Sequence, residues 1–122
     1  MRAEILEYLN TQSTGVLAVE MLDGSPHGAT VHYAHTGEPF VFYFETERQY
    51  RKAEALLGRA SSRASFVITN EARPGTLQLD GVVELLQPED KAIFDAVYLA
   101  KFPGKVEKFN FRKGIPCYFS RV

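Results

Sequence analysis

The chain has 122 residues, 45% hydrophobic and 24% charged, an ordinary balance for one globular domain (residues 1–122) that buries a core without staples. A net charge of −1 argues against a general nucleic-acid binder, whose phosphate contacts need a basic surface. The single Cys117 excludes an internal disulfide, and the charged N-terminus MRAEILEYLN reads as neither signal peptide nor membrane span, so a cytoplasmic protein is expected.

In chain order, Ile5, Leu6, Tyr8 and Leu9 recur at helical spacing and predict a short amphipathic helix over residues 2–10. Gly15 opens a strand-like run, VLAVEML, that stops at Asp23-Gly24, a dipeptide suited to a tight hairpin turn. Its partner runs from His27 to His35. Thr36-Gly37-Glu38-Pro39 breaks it before an aromatic-rich run from Phe40 to Glu45, so the three read as a meander. From Thr46 to Leu57 the period turns helical through Ala53, Leu56 and Leu57, with Thr46 and Gln49 in a capping-box pattern. SFVIT and TLQLDGVVELL return to strand composition around the turn Ala72-Arg73-Pro74-Gly75. Pro88 opens another helix, acidic in its first turn, with Ile93, Phe94, Val97 and Tyr98 on one face. A final strand runs from Cys117 to Val122. Six strands in hairpins with a few helices predict a mainly β antiparallel barrel rather than a parallel α/β sheet.

Chemistry concentrates between Thr46 and Lys52. A helix there sets Arg48, Arg51 and Lys52 on one face, and the free amides of a helix start beside a forked guanidinium make a phosphate site. The alternative is a solvated helix face whose cations pair with Glu45, Glu47 and Glu54. His27, His32 and His35 lack metal-ligand spacing; His32 and His35 differ by an odd number and face opposite ways in a regular strand, so no metal is expected. Cys117 has no basic neighbour in sequence to activate it and reads as a packing residue, and no catalytic nucleophile, acid or base stands out. The nine Phe and six Tyr read as core and subunit interface, or as walls for a planar ring.

The stretch DGSPHGATVHYAHTGEPFVFYFETERQYRKAEAL resembles the opening half of the pyridoxamine-phosphate-oxidase-like FMN-binding split barrels. In that family Asp-Gly-x-Pro sits on a hairpin, a later strand ends in Thr, and Arg-Lys opens a helix; Thr46, Arg51, Lys52 and Leu56 stand at this spacing. TLQLDGVVELL is similar to the family's fifth strand, with Asp80-Gly81 at its acidic residue and Gly. The likeness spans residues 15–86. It implies a six-stranded split antiparallel Greek-key β-barrel, a homodimer with FMN in a cleft completed by the second subunit, and flavin-dependent oxidoreduction. It further implies that Arg51 and Lys52 hold the FMN phosphate, with Thr46 beside the phosphate or ribityl chain. Thr30, Val31 and His32 would line the isoalloxazine, Val31 through its main chain. Thr76 falls where the oxidases place a flavin-contacting Gln, and Gln78 follows on the same strand face. The chain has no Trp and no counterpart of the C-terminal Arg and His segment that grips substrate in true pyridoxamine-phosphate oxidases, which argues against vitamin B6 oxidation. Relatives of this barrel also hold deazaflavin or haem, and a binding or redox-responsive protein without rapid turnover is the alternative to an enzyme.

Overall fold

The computed structural model describes residues 3–37, 40–47, 50–70, 72, 75–104 and 114–121. Seven strands follow in chain order: β1 (Thr14–Glu20), β2 (Pro26–His32), β3 (Ala34–His35), β4 (Val41–Glu47), β5 (Ser62–Thr69), β6 (Thr76–Leu85) and β7 (Gly114–Arg121). They form one antiparallel sheet in the order β2-β1-β5-β6-β7-β4-β3. Its two edge strands, β2 and β3, are separated in the chain by Tyr33 alone, so the sheet curls until its edges approach, which is the split antiparallel barrel that the resemblance implies.

Tyr33 also accounts for a seventh strand. The run expected as one strand from His27 to His35 pairs with β1 before Tyr33 and with β4 after it. The Tyr33 amide donates to Ser13 O at 3.0 Å and its hydroxyl to Leu9 O at 2.8 Å, which fixes the change of partner. The expected meander is corrected in the same way. β4 pairs along its length with β7, placing Phe42 opposite Phe119 and Phe44 opposite Cys117, and reaches the earlier strands through the two residues of β3. All four of those facing side chains are fully buried, so the apolar area that this distant pairing removes from water outweighs the closeness in sequence of β2.

The two predicted hairpins form. At the first, Gly24 adopts φ +86° and Asp23 Oδ1 accepts from the Ser25 amide at 2.9 Å and the Ser25 hydroxyl at 2.6 Å. At the second, Gly75 precedes β6, while Arg73 and Pro74 lie outside the described residues. Inward side chains alternate along each strand: Leu17 and Val19, Phe42 and Phe44, Phe66 and Ile68, Val83, Cys117 and Phe119 are all fully buried. Gly81 belongs to the same inward row, and a Cβ there would run into the Ser120 carbonyl oxygen and the Phe119 ring.

Helices cover three parts of the barrel. α1 (Ala3–Thr11) buries Leu9 and packs Ile5 and Tyr8 against the core. α2 (Arg51–Gly58) touches β1, β2, β4 and β6 and buries Lys52, Ala53, Ala55 and Leu56, whereas Leu57 stays 46% exposed. It starts later than the capping-box pattern predicts. Thr46 is a strand residue paired with Ile115, Tyr50 is the N-cap, and Gln49 lies outside the described residues. The third helical stretch opens with a 3-10 turn at Pro88–Asp90, continues as α3 (Lys91–Phe94) and widens into a π-helical turn at Asp95–Leu99. Phe94 and Tyr98 stack at 4.9 Å and bury against Ala34 and Tyr43, while Ile93, expected on that face, is turned to solvent. Among the described residues the outward face of β2, β1, β5 and β6 carries exposed or half-buried side chains, with Val16 at 43% exposure. Among the described residues no helix is long and apolar enough to cross a membrane.

Candidate functional site

β4 ends at Glu47, and the Tyr50 amide donates to Glu47 O at 3.0 Å, which ties the start of α2 to the end of that strand. Tyr50 at the N-cap makes no side-chain cap bond; the first amide of the helix to find an acceptor is that of Ala53, on Tyr50 O at 3.0 Å. The amides of Arg51 and Lys52 have no acceptor among the described residues, as expected for the first turn of a helix without a capping side chain.

Side-chain donors gather at the same place. Lys52 is 4% exposed, its Nζ lies 4.6 Å from the Tyr50 ring centroid, and no carboxylate among the described residues is within ion-pair distance of it. Burial pulls its ammonium below the usual lysine value, with Cys117 and Glu47 acting in the opposite direction. Arg51 is exposed and lies close enough to the β1–β2 turn to join Ser25, whose hydrogen bonds dominate, in holding the Asp23 carboxylate below its usual value. Thr46, on the inward face of β4, is 2% exposed, and its Oγ1 has no hydrogen-bond partner. The first amides of α2, the exposed Arg51 guanidinium and the Lys52 ammonium over the Tyr50 ring thus stand at one helix start, the Thr46 hydroxyl lies near the end of the preceding strand, and none of these donors has an acceptor among the described residues. Buried polar groups are rarely left so, and an anion would satisfy them. Arg48, grouped with these cations by helical spacing, lies outside the described residues.

The remaining expected residues stand on the outer face of β2 and β6. Thr30 and His32 project outward from β2, and Val31 between them turns into the core at 5% exposure, which leaves its main chain as the part open to a ligand. Thr76 and Gln78 project outward from β6. Thr30 and Gln78 fall on one row through Val16 and Val67, three strand spacings or about 14 Å apart, so one chain does not bring β2 and β6 residues together.

His32 meets the Phe102 ring edge-on at 5.6 Å, and His35 is half-buried among Tyr33, Phe40 and Phe42 with its titration lowered by burial and by Lys101. Among the described residues no group of three His, Cys, Asp or Glu could hold a metal ion. Cys117 is fully buried, and burial pushes its thiol up, as a packing residue requires. Sequence reasoning passed over two lysine–aromatic contacts, one at Tyr50 and one at Lys101. Tyr50 carries the Lys52 head, and its signal was an aromatic residue standing where a capping side chain is usual. Lys101 donates to Gln12 O at 2.7 Å and sits over the Tyr33 ring at 4.2 Å, and nothing in its sequence neighbourhood signals that role.

No protein of curated function matches the chain significantly. Among solved structures, a protein of unknown function from Agrobacterium tumefaciens superposes with a TM-score of 0.76 at 15% identity, over 99% of this chain and 55% of that one. The chain therefore spans little more than half the length of that relative. A heme binding protein from Mycobacterium smegmatis superposes at 0.71 with 16% identity, covering 98% and 52%, and an FAD-binding protein from Mesorhizobium loti at 0.68 with 16% identity, covering 100% and 91%. At such identities the likeness establishes the fold alone. The sequence of residues 1–115, well beyond the 15–86 of the resemblance, matches the family described as pyridoxamine 5'-phosphate oxidase, and the chain belongs to that family.

Proposed function

We propose that this chain binds FMN and acts as a flavin-dependent oxidoreductase. The observation that carries the reading is the set of donors at the start of α2, the Arg51 and Lys52 amides and side chains, that have no acceptor among the described residues; with the orphaned Thr46 hydroxyl of the preceding strand they suit a terminal phosphate. In this reading Thr30 and His32, with the Val31 main chain, line the flavin ring from β2. Thr76 and Gln78 serve a second copy of the chain. Two copies packed outer face to outer face around a two-fold axis bring the β6 row of one against the β2 strand of the other, which a single chain cannot do. A bound flavin supplies the hydride or electron chemistry; the chain supplies binding, orientation and exclusion of water. Membership of the family supports a flavin.

A haem in place of the flavin is a second reading, favoured by the exposed His32 imidazole on the same face. The absorption spectrum of the purified protein, followed by reconstitution with FMN or haem, tests both. Flavin bands and uptake of FMN are expected. A Soret band without flavin uptake replaces the first reading by the second, and a protein that takes up neither refutes both. Anaerobic reduction by NAD(P)H and reoxidation by added acceptors then separates an oxidoreductase from a carrier.

A further inference from the structure

A helix start usually supplies its own acceptor at the N-cap through Ser, Thr, Asp or Asn. Position 50 supplies an aromatic face. Tyr50 takes the extended N-cap conformation, φ −72° and ψ 144°, yet its side chain bonds to none of the α2 amides. Core filling does not account for the ring, which is 48% exposed. Its contact is with the Lys52 ammonium, 4.6 Å from the ring centroid and within the range of a cation–π interaction.

That contact solves a problem that Lys52 poses. The side chain is buried to 4% exposure and has no carboxylate within ion-pair distance among the described residues, so burial disfavours the charge that an anion site needs. Glu47 is near enough for its field to reach the ammonium. Turned toward Glu47, the head would find a carboxylate and be lost to a ligand. Held over the Tyr50 ring, it gains a partner that favours the cation without neutralising it, and no acceptor among the described residues takes up its donors. A cation between a ring face and an anion is attracted to both.

Resting on the phosphate reading of this site, we propose that Tyr50 is a positioning residue whose ring face holds the Lys52 ammonium toward the start of α2, so that ligands ending in a phosphate are preferred over the same ligands without one.

The test compares wild type with Tyr50→Leu and Tyr50→Phe. In ligand-free protein the Lys52 side-chain amine is followed by NMR across pH, and dissociation constants for FMN and riboflavin are measured by flavin fluorescence. Tyr50→Leu removes a half-exposed ring, and circular dichroism checks that the barrel remains. It should lower the Lys52 titration midpoint and weaken FMN about three- to tenfold, the range of a partly desolvated cation–π contact, with riboflavin changed less than about twofold. Tyr50→Phe keeps the ring and should match wild type in every measurement, which a role for the hydroxyl would not allow. The proposal is overturned if Tyr50→Leu leaves the Lys52 midpoint and FMN affinity unchanged while wild type still prefers FMN to riboflavin; the phosphate reading then stands without it. If wild type binds the two flavins equally, the phosphate reading fails and takes the proposal with it.

Discussion

Replacing Lys52 by Met separates a binding lysine from a structural one because the two roles give opposite signs. Met keeps an unbranched stem of similar length, so the packing of a side chain that is 4% exposed is largely retained, while the charge is removed. The ammonium has no carboxylate within ion-pair distance among the described residues, and burial lowers its titration. A lysine whose value is depressed on folding costs stability wherever it is still charged, so the ligand-free variant should unfold at the same or higher urea concentration than wild type at neutral pH. FMN affinity should move the other way. One charge-assisted hydrogen bond to a phosphate contributes about 1.5–3 kcal/mol, which predicts a loss of roughly ten- to a hundredfold, with riboflavin nearly unaffected. Flavin fluorescence titration reads the affinities. Far-ultraviolet circular dichroism reads unfolding, which suits a chain with no Trp. Equal FMN affinity in the two proteins would remove Lys52 from the phosphate site, and a stability loss above about 1 kcal/mol would make it a structural residue instead.

Lys101 makes a pH-dependent contribution of defined sign. Burial lowers it to about 8 from 10.5, so between these values the unfolded chain holds a proton that the folded chain has released, and this group's contribution to stability rises with pH. Cys117 and the buried Tyr33 and Tyr98 slope the other way because burial raises their values, so the measurement is the difference between wild type and Lys101→Met in urea unfolding from about pH 7.5 to 9.5. A difference that stays flat or falls with pH would refute it. Val16 lies exposed within the outward row from Thr30 to Gln78, and Val16→Glu should halve the mass found by light scattering while changing barrel stability by less than about 1 kcal/mol. A wild-type monomer, or a variant that stays dimeric, would sink the face-to-face assembly.

What was legible in the sequence was what one strand or one hairpin decides by itself. TLQLDGVVELL alternates because Leu79, Gly81 and Val83 face the core while Thr76, Gln78 and Asp80 face out, and β6 follows that pattern. Asp23-Gly24 turned where expected because the positive φ and the Asp23 carboxylate bonds to Ser25 are local. The change of partner at Tyr33 was not legible. His27 to His35 stays strand-like throughout, and the break depends on a hydroxyl bond to Leu9, 24 residues away, and on β4 having already been claimed by β7 at the far end of the chain. The register that sets Thr30 and Gln78 on one row was likewise out of reach, since it is fixed by two strands that lie between them.

The same division runs through the candidate site. The spacing of Thr46, Arg51 and Lys52 was visible, but the reason these residues form more than a solvated helix face was not. Helical period makes Lys52 a surface cation; the packing of α2 onto β1, β2, β4 and β6 makes it a buried one, and no sequence neighbour announces that. Thr46 shows the point most sharply. As the cap of a helix its hydroxyl would have had an amide of the first turn for a partner, and the phosphate argument would have lost a donor. As an inward residue of β4 it is sealed from water at 2% exposure with its oxygen unanswered. A buried hydroxyl with no partner is costly unless something binds there, because it lacks what water gave it in the unfolded chain, and the buried Lys52 ammonium, held over the Tyr50 ring, has no acceptor among the described residues. The error in reading Thr46 from the sequence and the strength of the site in the structure therefore have one cause: the strand runs further than the capping pattern allows, and the helix begins on a tyrosine that cannot cap it.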